Sequence, residues 1–196
     1  MVRTDEHRYF DETGAEYASV SSLLQQEGLV DTRWYKPHHA QRGTDRHNAV
    51  HLVINGLLPV GALPPDIQPY AEAAEKFQAE FCREVLHTED IVCSPKVKIA
   101  GTIDLVARSY DGDIIIADWK TGSLTPWHGV QMAAYEYLYR EHHNAYDEKI
   151  RTRIVCLHDD GTYHVHAKSK NRTFGEAFFT STWQAIVQLH YARSVL

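Results

Sequence analysis

The sequence contains few cysteines and no long hydrophobic run. Its three cysteines are widely spaced and form no Cys-x-x-Cys pair, which argues against a disulfide framework and against a closed zinc or iron–sulfur site. The longest apolar stretch, residues 52–63, is interrupted by asparagine, glycine and proline, so no membrane-spanning helix of about 20 apolar residues is expected. The N-terminus lacks the apolar core of a signal peptide, and we therefore expect an intracellular protein.

The sequence also lacks an excess of positive charge. Its 20 Lys and Arg residues against 26 Asp and Glu residues give a formal net charge of −6, which excludes a uniformly basic nucleic-acid-binding protein. A local basic groove remains compatible with this balance. With 43% hydrophobic residues, the chain of 196 residues can bury one sizeable core, and we expect a single domain over residues 1–196.

Hydrophobic periodicity and capping residues predict a mixed α/β fold with a helical N-terminal segment and a central sheet. A small hairpin over 9–14 precedes a short helix that Ser19 caps and that ends near Gly28. Further helices are expected over about 44–55, 66–86, 126–139 and 175–193. Strands are expected over 89–96, 98–109, 113–121, 150–158 and 163–168.

Two apolar strands in the middle of the chain each carry an aspartate where an aliphatic residue would pack better. Asp104 lies in Gly-Thr-Ile-Asp-Leu, and Asp118 lies in Asp-Trp-Lys-Thr-Gly, with Lys120 two residues after it. Burial of a carboxylate is costly unless a positive charge compensates it. Two such positions on neighbouring strands therefore indicate a site.

The turn between these strands allows two registers. A two-residue Asp111-Gly112 turn would place Asp104 and Asp118 on opposite faces of the sheet. A three-residue loop over 110–112, with its glycine in the left-handed conformation, would place Asp104 opposite Asp118 and Lys120 on the same face. We prefer the second register because it brings the three charges together.

Two facing carboxylates repel each other, so a divalent cation with oxygen ligands, Mg²⁺ or Mn²⁺, is a natural counter-charge. Lys120 beside such an ion would orient or activate a water molecule, or offset charge on a phosphate. The alternative is an Asp–Lys–Asp ion cluster at the end of a sheet that binds no ligand.

The pattern resembles the PD-(D/E)xK nuclease superfamily, and within it the RecB-type exonuclease branch, which includes phage-encoded single-domain exonucleases. The segments that agree in order and spacing are Arg42-Gly-Thr-Asp-Arg-His47, Gly101-Thr-Ile-Asp104-Leu, Asp118-Trp-Lys-Thr-Gly122 and Gln131-Met-Ala-Ala-Tyr135. The similarity covers residues 40–140 or so. It implies a restriction-endonuclease-like core, with a central mixed β-sheet flanked by helices.

The resemblance implies that one or two Mg²⁺ or Mn²⁺ ions are bound by His47, Asp104, Asp118 and the backbone carbonyl of Trp119. Lys120 would be the catalytic lysine. Taken alone, His47 shares a helical stripe with apolar residues and would be interpreted as a core histidine. The motif context favours a metal ligand instead. Relatives with an iron–sulfur cluster hold it with four cysteines, and we expect no cluster here.

The last motif adds Gln131 and Tyr135, which lie one helical turn apart and would both face the site as further catalytic residues. Gln131 and Arg42 are also candidates for substrate binding. The sequence departs from the family at Ile103, which replaces a proline, and at Asp118, where other members have glutamate and a longer reach to the metal.

These residues imply a metal-dependent DNA exonuclease that hydrolyses phosphodiester bonds with a metal-activated water, in a bacterial cell or phage-infected host. A structure-specific or nicking endonuclease on the same core is one alternative. A catalytically idle DNA-binding module is another, although every catalytic side chain is present. DNA is the expected partner. The sequence leaves open a phage or host recombination or single-strand-binding protein, and self-association.

Other polar and aromatic residues allow more than one interpretation. Three histidine pairs have no cysteine or acid at zinc spacing, and we interpret them as surface residues: His38-His39, His142-His143 and His164/His166. Glu89 is either an additional acid of the site or a surface carboxylate. Aromatic residues beside the motifs would stack on bases or pack at the rim: Trp34, Tyr35, Trp127 and His128. Several basic residues would line a phosphate groove: Arg42, Arg46, Arg108, Arg151, Lys168, Lys170 and Arg172.

Overall fold

The structure, a computed structural model, describes residues 1–4, 8–30, 37–166 and 176–195, with the backbone alone at 37–41. The strands are β1 (Val2–Arg3), β2 (Tyr9–Phe10), β3 (Glu16–Ser19), β4 (Cys82–Ser94), β5 (Ile99–Ser109), β6 (Ile114–Lys120), β7 (Ile150–Leu157) and β8 (Tyr163–His166). The α-helices are α1 (Val20–Gln26), α2 (Pro37–Ile54), α3 (Gln68–Phe81), α4 (Trp127–His143) and α5 (Glu176–Val195). A 3₁₀ turn spans Val60–Ala62.

The strands form one mixed sheet, in agreement with the predicted mixed α/β fold. Its order is β1-β2-β3-β5-β6-β7-β8, and β4 pairs along β5. The pairs β3–β5 and β6–β7 are parallel, whereas the other pairs are antiparallel. The N-terminal part, expected to be mainly helical, also adds three short strands to the edge of the sheet.

Helices cover both faces of the sheet. On one face, apolar residues of α1, α4 and α5 pack with Ile114 and Ile116 of β6. On the other face, α3 and Val50 of α2 pack with Ile115, Ala117 and Trp119. Residues of β6 alternate between these two cores because successive strand side chains point to opposite faces. In the described residues, no helix combines the length and apolar character needed to cross a membrane.

Two element boundaries differ from the sequence prediction. Helix α2 begins at Pro37 rather than near Thr44, since a proline is favourable in the first turn, where its missing N–H is not needed. Helix α3 ends at Phe81 instead of residue 86, and β4 follows it directly. The apolar residues after Phe81, which were predicted to continue the helix, belong to β4 instead. Val85, for example, pairs with Ala107 of β5.

The hairpin of β5 and β6 has the preferred register. Ser109 N–H donates to the Asp113 carbonyl at 2.8 Å, and Gly112 has a φ of 88°, as a three-residue loop with a left-handed glycine requires. The strand pairing continues as far as Leu105 with Ala117. Extended by one position, this register aligns Asp104 with Asp118.

The sheet divides along one edge of β5. Strand β4 pairs with one edge of β5 over residues 99–109 of β5. Strands β3 and β6 therefore both pair with the opposite edge of β5. β3 pairs with it at 99–100, and β6 pairs with it at 105–108. Among the described residues, no strand pairs with 101–104 on that edge. The gap opens the sheet at the position of Asp104.

Gly129, in the first turn of α4, permits close contact with α5. A Cβ atom there would overlap the ring of Phe179. We expect Gly129→Ala to lower the free energy of unfolding by about 1 kcal/mol, because overpacking outweighs the gain in helix propensity. Chemical denaturation measures this change. In the Phe179→Ala background the same substitution should be stabilising, and destabilisation in both backgrounds would contradict the overlap.

His128, also in the first turn of α4, is buried and accepts a hydrogen bond from Thr125 N–H at 3.1 Å. Burial and the Lys120 ammonium lower the pKa of His128 from its ordinary 6.5 to about 3. Below pH 6.5 His128 therefore becomes protonated in the unfolded chain, whereas in the folded chain it stays neutral until the pH approaches 3.

The contribution of neutral His128 to stability is consequently complete above pH 6.5 and is lost as the pH falls towards 3, by at most about 1.4 kcal/mol per pH unit. Denaturation of the wild type and His128→Gln between pH 7 and 4 measures this effect. The advantage of the wild type over the variant should shrink on acidification. A difference independent of pH would show that the pKa of His128 is the same in the folded and unfolded chains.

Candidate active site

A polar cleft with a volume of about 640 Å³ occupies the gap in the sheet. It is walled by the N-terminal strands, α2, β5, β6 and α4. The charged and polar side chains that line it include Arg3, Tyr9, His47, Glu89, Thr102, Asp104, Asp118, Lys120, Gln131 and Tyr135. Six predicted site residues, from four separate segments, thus share one cleft: His47, Asp104, Asp118, Lys120, Gln131 and Tyr135.

Asp104 is held by contacts from two elements. Its Oδ2 accepts a hydrogen bond of 2.7 Å from the backbone N–H of Trp119, and it lies 3.5 Å from Nδ1 of His47. His47 reaches this position because Val50, one turn later in α2, is fully buried against α3 and β6. The core therefore fixes the imidazole beside the carboxylate.

Asp118 and Lys120 are two residues apart on β6 and project from the same face. Asp118 is 3% exposed, and its Oδ2 contacts Nζ of Lys120 at 2.5 Å. The Lys120 ammonium also lies 5.9 Å from the ring centre of Trp127, at the start of α4. The lysine is thus directed into the cleft by a carboxylate on one side and an aromatic ring on the other.

Gln131 and Tyr135 project from α4 into the same cleft. Nε2 of Gln131 donates to the Tyr135 hydroxyl at 2.9 Å, and both side chains are buried. The Oε1 atom of Gln131 is buried and has no hydrogen-bond partner among the described residues. The Tyr135 ring fits against Gly101, where a Cβ would lie 2.9 Å from Cε1. Glycine is therefore required at this point of the motif for close packing.

The two aspartates have opposite pKa shifts. Burial, the largest single effect, raises the pKa of Asp104, but His47, Lys120 and the Trp119 N–H together lower it below the ordinary value. Burial raises the pKa of Asp118, and repulsion from Asp104 adds to this, against the attraction of Lys120. Burial would lower the pKa of His47, yet Asp104 raises it above the ordinary value. Such opposed shifts are typical of carboxylates that share one site.

The donor set fits a hard divalent cation. Of the charged residues that line the cleft, Arg3 donates to Glu89 at 2.9 Å, which leaves two buried carboxylates against Lys120. A divalent cation would supply the missing positive charge. The Trp119 carbonyl is also suitably directed. Its N–H points towards β5, and the N–H and C=O of one strand residue point to the same edge.

Other candidates lie elsewhere. Arg42 is exposed on α2 and does not line the cleft. The remaining described arginines of the predicted groove have other contacts: Arg46 stacks on Tyr70 at 3.9 Å, Arg108 contacts Glu148 at 3.5 Å, and Arg151 contacts Asp113 at 2.5 Å. His128 is buried, which argues against base stacking there. Trp34, Tyr35, Lys168, Lys170 and Arg172 lie outside the described residues, as do the side chains of His38 and His39.

The N-terminal wall of the cleft was not predicted from the sequence. Arg3 of β1 and Tyr9 of β2 line it, and Tyr9 shares a hydrogen bond of 2.9 Å with Thr102 of β5. Glu89, whose role was left open, also lines it. No motif marks Arg3 or Tyr9, although Tyr9 lies in the hairpin predicted over 9–14.

Comparisons with known proteins place the fold. No curated protein matches the sequence. Among solved structures, a Eubacterium rectale protein provisionally named an exonuclease has a TM-score of 0.54 at 13% identity, covering 98% of this chain and 85% of that one. LHK-Exo in complex with dAMP has a TM-score of 0.39 at 12% identity, covering 90% and 87%.

The family comparison covers nearly the whole chain. A model of the PD-(D/E)XK nuclease superfamily matches residues 17–194, which include every segment of the cleft except the N-terminal wall. This match agrees with the mixed sheet between two helical layers, which is the restriction-endonuclease-like core. A cleft of aspartates and a lysine on adjacent strands and a match of this extent establish that the chain belongs to the PD-(D/E)XK nuclease superfamily.

Proposed function

We propose that the chain is a DNA exonuclease that depends on Mg²⁺ or Mn²⁺. The observation that carries this proposal is the meeting of an imidazole, two buried carboxylates and one ammonium group in a single cleft. An ion cluster without a ligand would not explain why Gln131 and Tyr135 are buried beside these charges.

In this proposal His47, Asp104, Asp118 and the Trp119 carbonyl hold one or two divalent ions. Such an ion, when bound, supplies Lewis-acid stabilisation of charge on the phosphate and makes water more acidic. The backbone hydrogen bond from Trp119 orients the Asp104 carboxylate, and the buried core around α2 positions His47. These ligands are therefore preorganised before a substrate arrives.

The other polar residues act on the substrate and on the attacking water. The contact with Asp118 holds the Lys120 ammonium where it can orient the water or offset phosphate charge. Burial keeps the Tyr135 hydroxyl protonated, because its pKa lies well above the ordinary value. It can donate a hydrogen bond, while Gln131 Oε1 can accept one. Arg42, which is exposed, would contact DNA outside the cleft.

The choice of an exonuclease rests on two observations. The N-terminal strands close one side of the cleft with Arg3, Thr4 and Tyr9, which favours binding of a strand end over an uninterrupted duplex. The Eubacterium rectale neighbour that shares the fold also carries an exonuclease designation.

We expect Lys120→Ala to reduce the rate of DNA hydrolysis by about 10²- to 10³-fold. This is the typical effect of removing one group that stabilises charge in the transition state. Hydrolysis of labelled linear DNA in Mn²⁺ measures the rate, and circular dichroism verifies the fold. Lys149→Ala is the matched control, since Lys149 is an exposed lysine paired with Asp113. Equal activity of the two variants would remove Lys120 from the catalytic machinery.

Linear and covalently closed circular DNA distinguish the candidate functions. We expect degradation of linear DNA alone, dependent on Mn²⁺ or Mg²⁺ and abolished by a chelator or by Asp104→Asn. Gel electrophoresis of both substrates over time gives the answer. Cleavage of circles would identify an endonuclease, and binding without hydrolysis would identify an idle DNA-binding module. Hydrolysis unaffected by a chelator would refute metal dependence.

A further inference from the structure

A second cluster of metal-binding side chains lies where β4 meets the C-terminal end of α4. It consists of His87 and Asp90 of β4 and His143 of α4, and one ligand atom from each lies within 4.8 Å of the others. Nε2 of His143 is 2.9 Å from Oδ2 of Asp90. The rings of His87 and His143 stack with their centres 5.2 Å apart. The three side chains thus converge before any ion is bound.

An irregularity in β4 places His87 and Asp90 on the same face. On a regular strand, residues three apart point to opposite faces. Glu89, between them, has a positive φ of 52°, which is uncommon for a residue other than glycine. On β5, Val106 pairs with His87 and Ile103 pairs with Asp90. Both partners pack in the core that α4 covers. The turned backbone therefore presents an imidazole and a carboxylate to α4.

We propose that His87, Asp90 and His143 bind a divalent transition-metal ion, with Zn²⁺ as the representative ion. Two imidazoles and one carboxylate form a donor set that zinc accepts, with its fourth position left to water. Mg²⁺ prefers oxygen ligands, so this site and the cleft should select different ions. His87 is exposed and gives an ion access, while the Asp90 and His143 side chains are only 12% and 25% exposed.

The cluster is separate from the cleft. Along α4, Tyr135 lines the cleft, whereas His143 follows eight residues later, about 12 Å along the helix axis. Local spacing in the sequence does not reveal the site, because the acid that faces His143 lies 53 positions earlier in the chain. His143, predicted to be a surface histidine, is partly buried and contacts Asp90.

Zinc titration of the full chain tests this proposal independently of nuclease activity. The metal-free Asp104→Asn/Asp118→Asn variant, in which the cleft has lost both aspartates proposed to hold its ion, is titrated with Zn²⁺ against a chromophoric chelator. We expect one equivalent of Zn²⁺ to bind. Adding His143→Ala should weaken binding by at least about 100-fold, beyond the ~10- to 100-fold typical for loss of an outer-shell partner.

His87→Ala decides the matter if His143→Ala impairs folding, since it leaves the contact between Asp90 and His143 in place. It should weaken Zn²⁺ binding comparably. His158→Ala, which removes an exposed histidine from the turn between β7 and β8, is the matched control and should bind as the parent does. Absence of stoichiometric binding, or equal binding by the His87 and His158 variants, would overturn the proposal.

Discussion

The arrangement of the cleft depends on the repulsion between two carboxylates at the point where the sheet divides. The register of the hairpin, extended by one position, aligns Asp104 of β5 with Asp118 of β6, and both are largely withdrawn from water. Their burial is tolerable because Trp119 N–H and His47 contact the first and Lys120 contacts the second. The charge that remains is the physical reason for a divalent cation.

The sheet supplies the geometry for this concentration of charge. β3 and β6 approach the same edge of β5 from its two ends, and residues 101–104 lie between them. Side chains from α2 and α4 can therefore enter the sheet at this place. Gly101 admits the Tyr135 ring, and the buried Val50 directs His47 towards Asp104. The packing of the core therefore also positions the side chains of the polar cleft.

Much of the hairpin could be predicted from sequence because turn chemistry and strand alternation act over short distances. Turn chemistry left two possible loops that both contain Gly112, and the grouping of the three charges favoured the longer one. The loop then sets the register, which aligns the two aspartates. The predicted boundary between α3 and β4 was wrong because the apolar residues within 82–86 fit either a helix or a strand. Arg3 and Tyr9 escaped prediction, since their place in the cleft depends on tertiary contacts between the N-terminal strands and β5.

A crystal structure in Mn²⁺, with anomalous scattering recorded near the manganese edge, tests the central claim most directly. The account predicts an anomalous peak in the cleft within coordination distance of His47, Asp104 and Asp118. A peak elsewhere with the cleft vacant, or side chains of these three residues directed away from one another, would contradict it.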